Sequence, residues 1–560
     1  MREHSHVSMS GKTRNLMLVS ILILTAALWS GVAGIRLNGD DFQYIASLAP
    51  IQHIGDVFRP FVTPDYNRSF FRPVANMTMS LDFLLFGWSG AGFHLTNLFF
   101  HLIATLLVFY FARDIFKLTE RESLWTALIF GLIASHEYNL VVDTARADML
   151  AAIFVMAAFL LQRRGNHILA VISFILALLS KEIAIMALPL LCWGKFKGDS
   201  RSIRHSTALA GPYLIITIAY YFYHAYFTQP ILESEPLSSG GAHSIFAFLQ
   251  NGSYSIGYLF LPLDLESSIA ILTHYHTSAL LFGCMILIAL IWIVIRERDT
   301  TSLRIYVKPL IFALLTGVVV FLAFERWRLY LPSVGAIAIA VLMVSRTSSR
   351  FFRIALLILI IPLGAFHLYR ALDAEAEWRA STSLRDKLKE NLTQILSSIP
   401  ERPLTLGIIA SPTKMGSAAV MQLGQSALIA RAEADRISER NRKFGTTDSV
   451  RVGSWTAVQV YALDGTEGFR GLEISRTGPN KYLVEVPSRS NIMLYPSMLV
   501  GNAISRSTAM TVGDSIVTRD YVVVVRSVEL GMVRSMEVRV RDTAATLISF
   551  DDQDRFDRIR

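Results

Sequence analysis

The feature that most constrains this chain is a series of long apolar runs in its first two thirds. A helix needs about 20 consecutive apolar residues to cross the hydrocarbon core of a bilayer. Candidate spans lie at 15–35, 93–112, 123–141, 148–162, 167–180, 183–195, 207–227, 278–295, 308–324, 329–345 and 351–370. The pattern predicts a polytopic α-helical membrane protein with about 11 spans.

Basic residues occupy every second loop between these spans. Clusters of Lys and Arg precede the first span and follow the second, fourth, sixth, eighth and tenth. Cytoplasmic loops carry such an excess, so we expect a cytoplasmic N-terminus and, after an odd number of crossings, a C-terminus outside. The alternation requires that 245–262, which contains Asn251, does not cross and lies in the interface or re-enters. The same loops explain the net charge of +9 without a nucleic-acid partner.

The composition changes after Tyr369 and divides the chain. We expect a transmembrane domain over 1–370 and a connecting amphipathic helix over 371–400. A soluble α+β domain on the outer side then covers 401–560. Within it, LTLGIIAS at 404–411 predicts a strand and 416–436 predicts a helix. Alternating runs such as YVVVVRSVEL and MEVRVRD predict further strands.

An acidic pair, Asp40 and Asp41, follows the first span immediately on the predicted outer side. Low dielectric and a neighbouring like charge raise the pKa of one carboxylate of such a pair, which suits a general base. A solvated turn with a helix N-cap before FQYIASL is the alternative, and the sequence leaves both open.

The second candidate span places His94, Asn97 and His101 on one helix face. Polar groups inside a membrane helix usually face a bundle interior or a cavity. Hydrogen bonding that only holds helices together would explain them equally well. Metal ligation needs a ligand from elsewhere in the chain, so a divalent metal is possible, and we predict no definite cofactor.

Further charged and histidine residues gather at the predicted outer ends of the spans. Pairs of adjacent residues there could be local ion pairs that anchor helix ends, or their cations could hold an anionic lipid headgroup. Two guanidiniums flank Trp327 in FERWR, an arrangement suited to gripping a lipid phosphate. The residues concerned are His136, Glu137, Arg146, Asp148, Lys181, Glu182, Glu325, Arg326 and Arg328.

These motifs resemble, in order, those of a known family. FFRPVANMTMSLDFLLFGWSGAGFHLTNLFFH, SHEYNLVVDTARADML, LALLSKEIAI and FERWRLYLPSVG are similar to motifs of the transmembrane O-mannosyltransferases that carry tetratricopeptide repeats. The resemblance covers roughly 35–345. Those enzymes are GT-C glycosyltransferases, which use polyprenyl-phosphate-linked sugars at the lumenal or periplasmic face. SHEYN lacks the proline of the family's loop, and the last third of the chain lacks the repeats, so the family's acceptor is not carried over.

The resemblance implies that Asp40 or Asp41 is a catalytic base and that the other charged residues line the site. We therefore expect a GT-C-like membrane glycosyltransferase without a nucleic-acid partner. It would move a hexosyl or pentosyl group from a polyprenyl-phosphate donor to a glycan, lipid or protein acceptor.

 We expect inversion at the sugar carbon, with Lys181, Arg146, Arg326 or Arg328 holding the departing phosphate. A flippase for lipid-linked oligosaccharides, which needs no base, is the alternative. The expected location is a bacterial inner membrane, in contact with its lipids.

Overall fold

The computed structural model describes most of the chain. The ranges outside the described residues are 1–8, 38–40, 42–43, 46–47, 49–50, 65–69, 194–199, 229–244, 263–299, 323–325, 347–349, 398–403, 416–417, 420–451, 463–472, 486–489, 494–511, 514, 518–520, 530–531, 541–545, 551–555 and 559–560. The predicted span 278–295 lies in one of these ranges.

The described part of the first 400 residues is helical. Its helices are α1 (Gly11–Leu28), α2 (Pro73–Phe86), α3 (Gly90–Phe111), α4 (Glu120–Leu132), α5 (Glu137–Val141), α6 (Arg146–Arg163), α7 (His167–Ser180), α8 (Leu188–Trp193), α9 (Ser200–Phe227), α10 (Ile245–Phe260), α11 (Thr300–Leu322), α12 (Tyr330–Arg346) and α13 (Arg350–Ser397). Short 3-10 segments lie at Ser30–Gly34, Ile54–Phe61, Ala134–His136, Asp143–Ala145, Glu182–Ala187 and Arg326–Leu329, and a π turn extends α3 over Ala112–Phe116.

Several helices have the length and composition of membrane spans. Within the described residues, five stretches are long and apolar enough to cross a membrane: Gly11–Gly34, Gly90–Phe116, Asp143–Arg163, Ile305–Leu322 and Arg326–Arg346. Large apolar side chains such as Leu16, Ile23 and Leu24 are exposed along α1, as expected for a surface in contact with lipid. The predicted class of polytopic helical membrane protein is confirmed, and the number of spans remains a prediction.

The two ends of the helical bundle differ in their contacts. At one end, Arg14 pairs with Glu120 at 3.2 Å and Arg346 with Glu122 at 2.7 Å. At the other end, buried Trp29 packs in a cluster with Leu140 and with Trp378 of α13. The N-terminus of α1 and the C-terminus of α12 therefore share one end, as the predicted sidedness requires.

One predicted span is interrupted in the structure, and a second break falls between two predicted spans. The span predicted at 123–141 is helical as α4 to Leu132 and continues as a 3-10 turn and the short α5. The stretch 167–195 breaks at Lys181, whose backbone is extended. Helix α10 covers the segment predicted not to cross, and Asn251 donates a hydrogen bond to the Phe321 carbonyl oxygen of α11 at 3.1 Å.

The last predicted span and the predicted connecting helix form one continuous helix, and the domain division near residue 370 remains a prediction. Helix α13 runs without a break through 48 residues, about 72 Å at 1.5 Å per residue. The hydrocarbon core is only about 30 Å thick. The change in composition at Tyr369 marks where the helix leaves the predicted membrane, and no helix-breaking residue follows it there.

The C-terminal region forms strands, as its alternating sequence predicted. Strands β1 (Leu404–Met415), β2 (Ala418–Ala419), β3 (Val452–Ala462), β6 (Ser490–Met493), β10 (Thr546–Phe550) and β11 (Phe556–Arg558) form one sheet, in which β1 is parallel to β3 and β10. Strands β4 (Glu473–Gly478), β5 (Lys481–Glu485), β7 (Ser515–Val517), β8 (Tyr521–Glu529) and β9 (Met532–Val540) form an antiparallel sheet. The helix predicted at 416–436 lies outside the described residues except for Ala418 and Ala419, which form β2. Contacts of α13 with β1, β2 and β11 connect this region to the bundle.

Candidate functional site

Asp41 is completely buried at the end of the bundle that the loop charges predict to be outside. One carboxylate oxygen, Oδ1, accepts a hydrogen bond from the backbone N–H of Asp143 at 2.9 Å. Asp41 therefore faces the segment that precedes α6. Its predicted partner, Asp40, lies outside the described residues.

Asp143 connects Asp41 to the polar face of α3. The side-chain amide of Asn97 donates to Asp143 Oδ1 at 3.0 Å, and His94 Nδ1 lies 3.6 Å from the same oxygen. All three side chains are fully buried. Among the described residues, neither ring nitrogen of His94 has a hydrogen-bond partner. A buried imidazole without hydrogen bonds beside a carboxylate is uncommon in a purely structural role.

Arg146 occupies the centre of this group and is fully buried. It forms an ion pair with Asp82 at 2.6 Å, and its Nε donates to Asn97 Oδ1 at 2.6 Å. A further bond from its Nη2 reaches the Phe93 carbonyl oxygen at 3.0 Å. The local pair of Arg146 with Asp148, one alternative from the sequence, is replaced by this longer-range pairing. We call Asp41, Asp82, His94, Asn97, Asp143 and Arg146 the carboxylate cluster.

A second group of charges lies beside the first. Lys181 forms a buried ion pair with Asp148, and Arg72 forms a two-pronged pair with Glu182 at 2.6 and 3.1 Å. Arg328 and Arg72 also interact electrostatically with the Lys181–Asp148 pair. We call Arg72, Asp148, Lys181, Glu182 and Arg328 the basic cluster, because it holds three cations and two carboxylates. The two clusters meet at the start of α6, where Arg146 belongs to one and Asp148 to the other.

Arg326, in the FERWR motif, is held from two sides. It pairs with Glu137 at 3.3 Å, and its guanidinium lies 4.4 Å from the centre of the Tyr138 ring. Tyr138 stacks in turn on Trp327. These contacts connect α5 to the segment before α12. Glu325 lies outside the described residues.

His101 and His136 lie deeper in the bundle and contact α12. His101 Nδ1 and the Tyr330 hydroxyl are 2.7 Å apart, and His136 Nε2 and the Ser333 hydroxyl are 3.0 Å apart. Their other ring nitrogens reach the carbonyl oxygens of Gly131 and Phe130. The contacts of His101 agree with the alternative that it only holds helices together, and His136 makes contacts of the same kind.

The structure adds residues that the sequence had not singled out. Asp82, Asp143 and Arg72 all pair with predicted site residues. Asp82 is the only charged residue of α2, and a lone carboxylate in an apolar helix is a usable signal. Within the described residues, no group of three or more His, Cys, Asp or Glu side chains is arranged to hold a metal ion.

The fold and these clusters define an integral membrane protein with buried acidic and basic groups side by side at one end of its helical bundle. No family model matches the chain. Over 128 residues it is 33% identical to a protein O-mannosyl-transferase, Tmtc1, of Drosophila melanogaster, covering 22% of this chain and 15% of that protein. It is 28% identical over 124 residues to protein O-mannosyl-transferase F38B6.6 of Caenorhabditis elegans, covering 21% and 18%. It is 26% identical over 155 residues to TMTC3 of Mus musculus, covering 26% and 17%.

The resemblance predicted from the motifs is thus confirmed as a similarity in sequence, although the chain spans less than a fifth of the length of these relatives. Among solved structures, this chain aligns with ArnT from Cupriavidus metallidurans bound to undecaprenyl phosphate. The alignment has a TM-score of 0.39 and 12% identity and covers 81% of this chain and 94% of that one. The apo state of ArnT gives a TM-score of 0.30 and 15% identity, covering 84% and 97%.

Proposed function

We propose that this protein is a membrane glycosyltransferase of the GT-C type. It transfers a sugar, mannose by analogy with the names of its relatives, from a polyprenyl-phosphate donor to an acceptor hydroxyl on the outer face. The observation that carries the proposal is the contact between the two clusters at the start of α6. A base and a set of phosphate-binding cations must lie side by side for such a transfer, since the attacking oxygen and the departing phosphate flank one carbon atom.

In this proposal Asp41 is the general base. It is buried, and the hydrogen bond from the Asp143 backbone fixes one of its oxygens. The acceptor hydroxyl gives its proton to this carboxylate while its oxygen forms a bond to the anomeric carbon. The bond from that carbon to the phosphate oxygen breaks at the same time, and the configuration inverts. Asp40 is its alternative for this role.

The basic cluster binds the phosphate. Lys181, Arg72 and Arg328 carry positive charges that attract an entering phosphate. Preorganised cations of this kind stabilise charge that develops on a leaving group. In this proposal Arg326, two residues before Arg328 in the FERWR motif, is a further cation for the phosphate.

Arg146 acts as a positioning residue. Its guanidinium is fully buried and is held by Asp82, Asn97 and the Phe93 carbonyl. It fixes the start of α6, and therefore the relative position of the two clusters. The proposed orientation, with the N-terminus in the cytoplasm and the C-terminal domain in the periplasm, places both clusters where the polyprenyl-linked donor meets the outer aqueous phase.

The test compares Asp41→Asn and Asp40→Asn with Asp56→Asn in the purified full chain. Asp56 lies in the same outer loop but caps a 3-10 turn, accepting from the backbone N–H groups of Gln52 and His53. The assay follows radiolabelled mannose from polyprenyl-phosphate mannose into an acceptor fraction of the envelope. Loss of a general base lowers turnover by about 10²–10⁴-fold. We expect this loss for Asp41→Asn, with donor binding unchanged and Asp56→Asn active.

Full transfer by both Asp41→Asn and Asp40→Asn would refute the assignment of the base. Lack of transfer by the wild-type chain with every polyprenyl-linked sugar, combined with transport of the intact donor across vesicles, would instead support the flippase.

A further inference from the structure

A polar cavity of about 500 Å³ opens at the start of α3. Its walls come from the segment after α1, the turn between α2 and α3, and the outer half of α13. Arg36, Trp88, Asp386 and Lys389 line it. A second cavity of about 320 Å³ is also lined by Arg36 and Asp386, which form an ion pair.

Two stretches of chain that line the cavity are close in sequence to the carboxylate cluster. Arg36 and Leu37 line it and precede Asp41 by four or five residues. Ser89, Gly90 and Ala91 line it at the start of α3, one turn before His94. A Cβ atom at Gly90 would lie 2.5 Å from the Leu37 backbone nitrogen, so this glycine allows the two stretches to pack directly together.

The lining combines an aromatic face with paired charges of both signs. The Trp88 side chain is 37% exposed, and its ring packs edge-on against Phe83. Burial tends to raise the pKa of Asp386, but Arg385 and Arg36 outweigh it and keep this pKa below its ordinary value. Asp386 is therefore ionised at neutral pH and accepts hydrogen bonds, whereas the neighbouring cations donate them.

We propose that this cavity binds the acceptor and that the acceptor is a carbohydrate of one or two rings. The inference rests on the proposed function, whose acceptor it specifies. A sugar hydroxyl both donates and accepts hydrogen bonds, so it matches a lining that contains carboxylates and cations together. The C–H face of the ring packs on Trp88, since an exposed indole offers a flat apolar surface. The volume lies within the range of small-molecule sites.

A peptide acceptor fits this cavity less well. Extended peptides bind by adding a strand to a sheet edge or by placing apolar side chains in a groove. The walls here are helices and turns with a charged lining. An anionic phospholipid headgroup would match Arg36 and Lys389, but Asp386 and Glu390 in the same lining would repel it.

The test measures sugar binding to the detergent-purified full chain by saturation-transfer-difference NMR. The probes are the methyl pyranosides of mannose, glucose and galactose, with maltose as a two-ring probe and glycerol 1-phosphate as the headgroup probe. Trp88→Ala removes the aromatic face, Trp88→Phe keeps it, and Ala91→Phe fills the cavity. The control is Trp125→Ala, since Trp125 is 59% exposed on α4 and does not line either cavity.

We expect at least one sugar probe to bind the wild type and to bind Trp88→Ala and Ala91→Phe at least tenfold more weakly. Trp88→Phe and Trp125→Ala should bind it normally, and so should Asp41→Asn, which lacks transfer. Binding that survives both Trp88→Ala and Ala91→Phe would overturn the proposal, as would binding of glycerol 1-phosphate alone or of no probe. None of these binding results would change whether Asp41→Asn loses transfer activity. The binding test and the test of the proposed function can therefore fail independently.

Discussion

The buried pair of Lys181 and Asp148 allows an anchoring role to be separated from a phosphate-binding role. Their side chains are 4% and 3% exposed. Removing one partner of a buried ion pair leaves an uncompensated charge and costs about 3–5 kcal/mol of unfolding free energy. Replacing both partners by apolar residues of similar size often costs little. We therefore expect Lys181→Met and Asp148→Leu each to destabilise the protein strongly, and the double variant to recover most of the loss.

The surrounding charges make the two single changes unequal. Without Asp148, Lys181 remains beside the like charges of Arg72 and Arg328, and Glu182 offsets them in part. Without Lys181, Asp148 still interacts with Arg72 and Arg328. Asp148→Leu should therefore lie near the upper end of the range of about 3–5 kcal/mol, and Lys181→Met near the lower end.

The wild type, the two single variants and the double variant form a double-mutant cycle. Their free energies of unfolding are measured in mixed micelles with increasing amounts of denaturing detergent, and the transfer assay is run on the same samples. The pair of Arg14 and Glu120, at the opposite end of the bundle, is the control. Its side chains are 26% and 27% exposed, so we expect a loss of about 0.2–1 kcal/mol. If Lys181 binds phosphate, the double variant is stable and still inactive. A double variant that is stable and fully active would assign the pair to anchoring alone. A coupling energy under about 0.5 kcal/mol would refute the electrostatic reasoning itself.

Two further predictions concern packing and sidedness. Gly131→Ala should destabilise the bundle by about 1–3 kcal/mol because its Cβ would lie 2.4 Å from the Thr25 hydroxyl. Gly364→Ala, where no atom lies within 4 Å of the new Cβ, should be neutral or stabilising in the same unfolding assay; equal effects would contradict the close contact of α1 with α4. In a background that carries both Cys192→Ser and Cys284→Ser, which removes the two cysteines of the chain, Lys387→Cys should react with an impermeant maleimide in intact cells, whereas Arg121→Cys should react only after lysis. The reverse pattern would invert the predicted topology.

The sequence predicted the class of fold and the end of the bundle that holds the charges, but not the pairing of those charges. Hydropathy and loop charge depend on local composition, which each segment carries by itself. Arg146 and Asp148 are neighbours in sequence, yet Arg146 pairs with Asp82 and Asp148 with Lys181. Partner choice depends on how α2, α6 and α7 pack, and no local pattern contains that information.

The sequence also indicated only some of the residues that the structure brings together in the candidate site. His94 and Asn97 lie in the carboxylate cluster, whereas His101, on the same helix face, bonds to Tyr330 away from it. Spacing on one helix places side chains on a face but does not say which neighbour covers each turn of that face. Asp143 was missed for a related reason: it lies in an irregular segment, where periodicity gives no orientation.

Because α13 is continuous, the directions in which side chains point at its two ends are fixed relative to each other. Each residue of an α-helix advances it by about 1.5 Å and turns it by about 100°. His367, which accepts a hydrogen bond from the Ala134 backbone, and Asp386, which pairs with Arg36, lie on this one rod. Adding or removing one residue between them would swing Asp386 and the sheets beyond it a quarter of the way round the axis. The number of residues in α13 therefore sets the orientation of the C-terminal strands that contact this helix relative to Arg36 and the cavity that Arg36 lines.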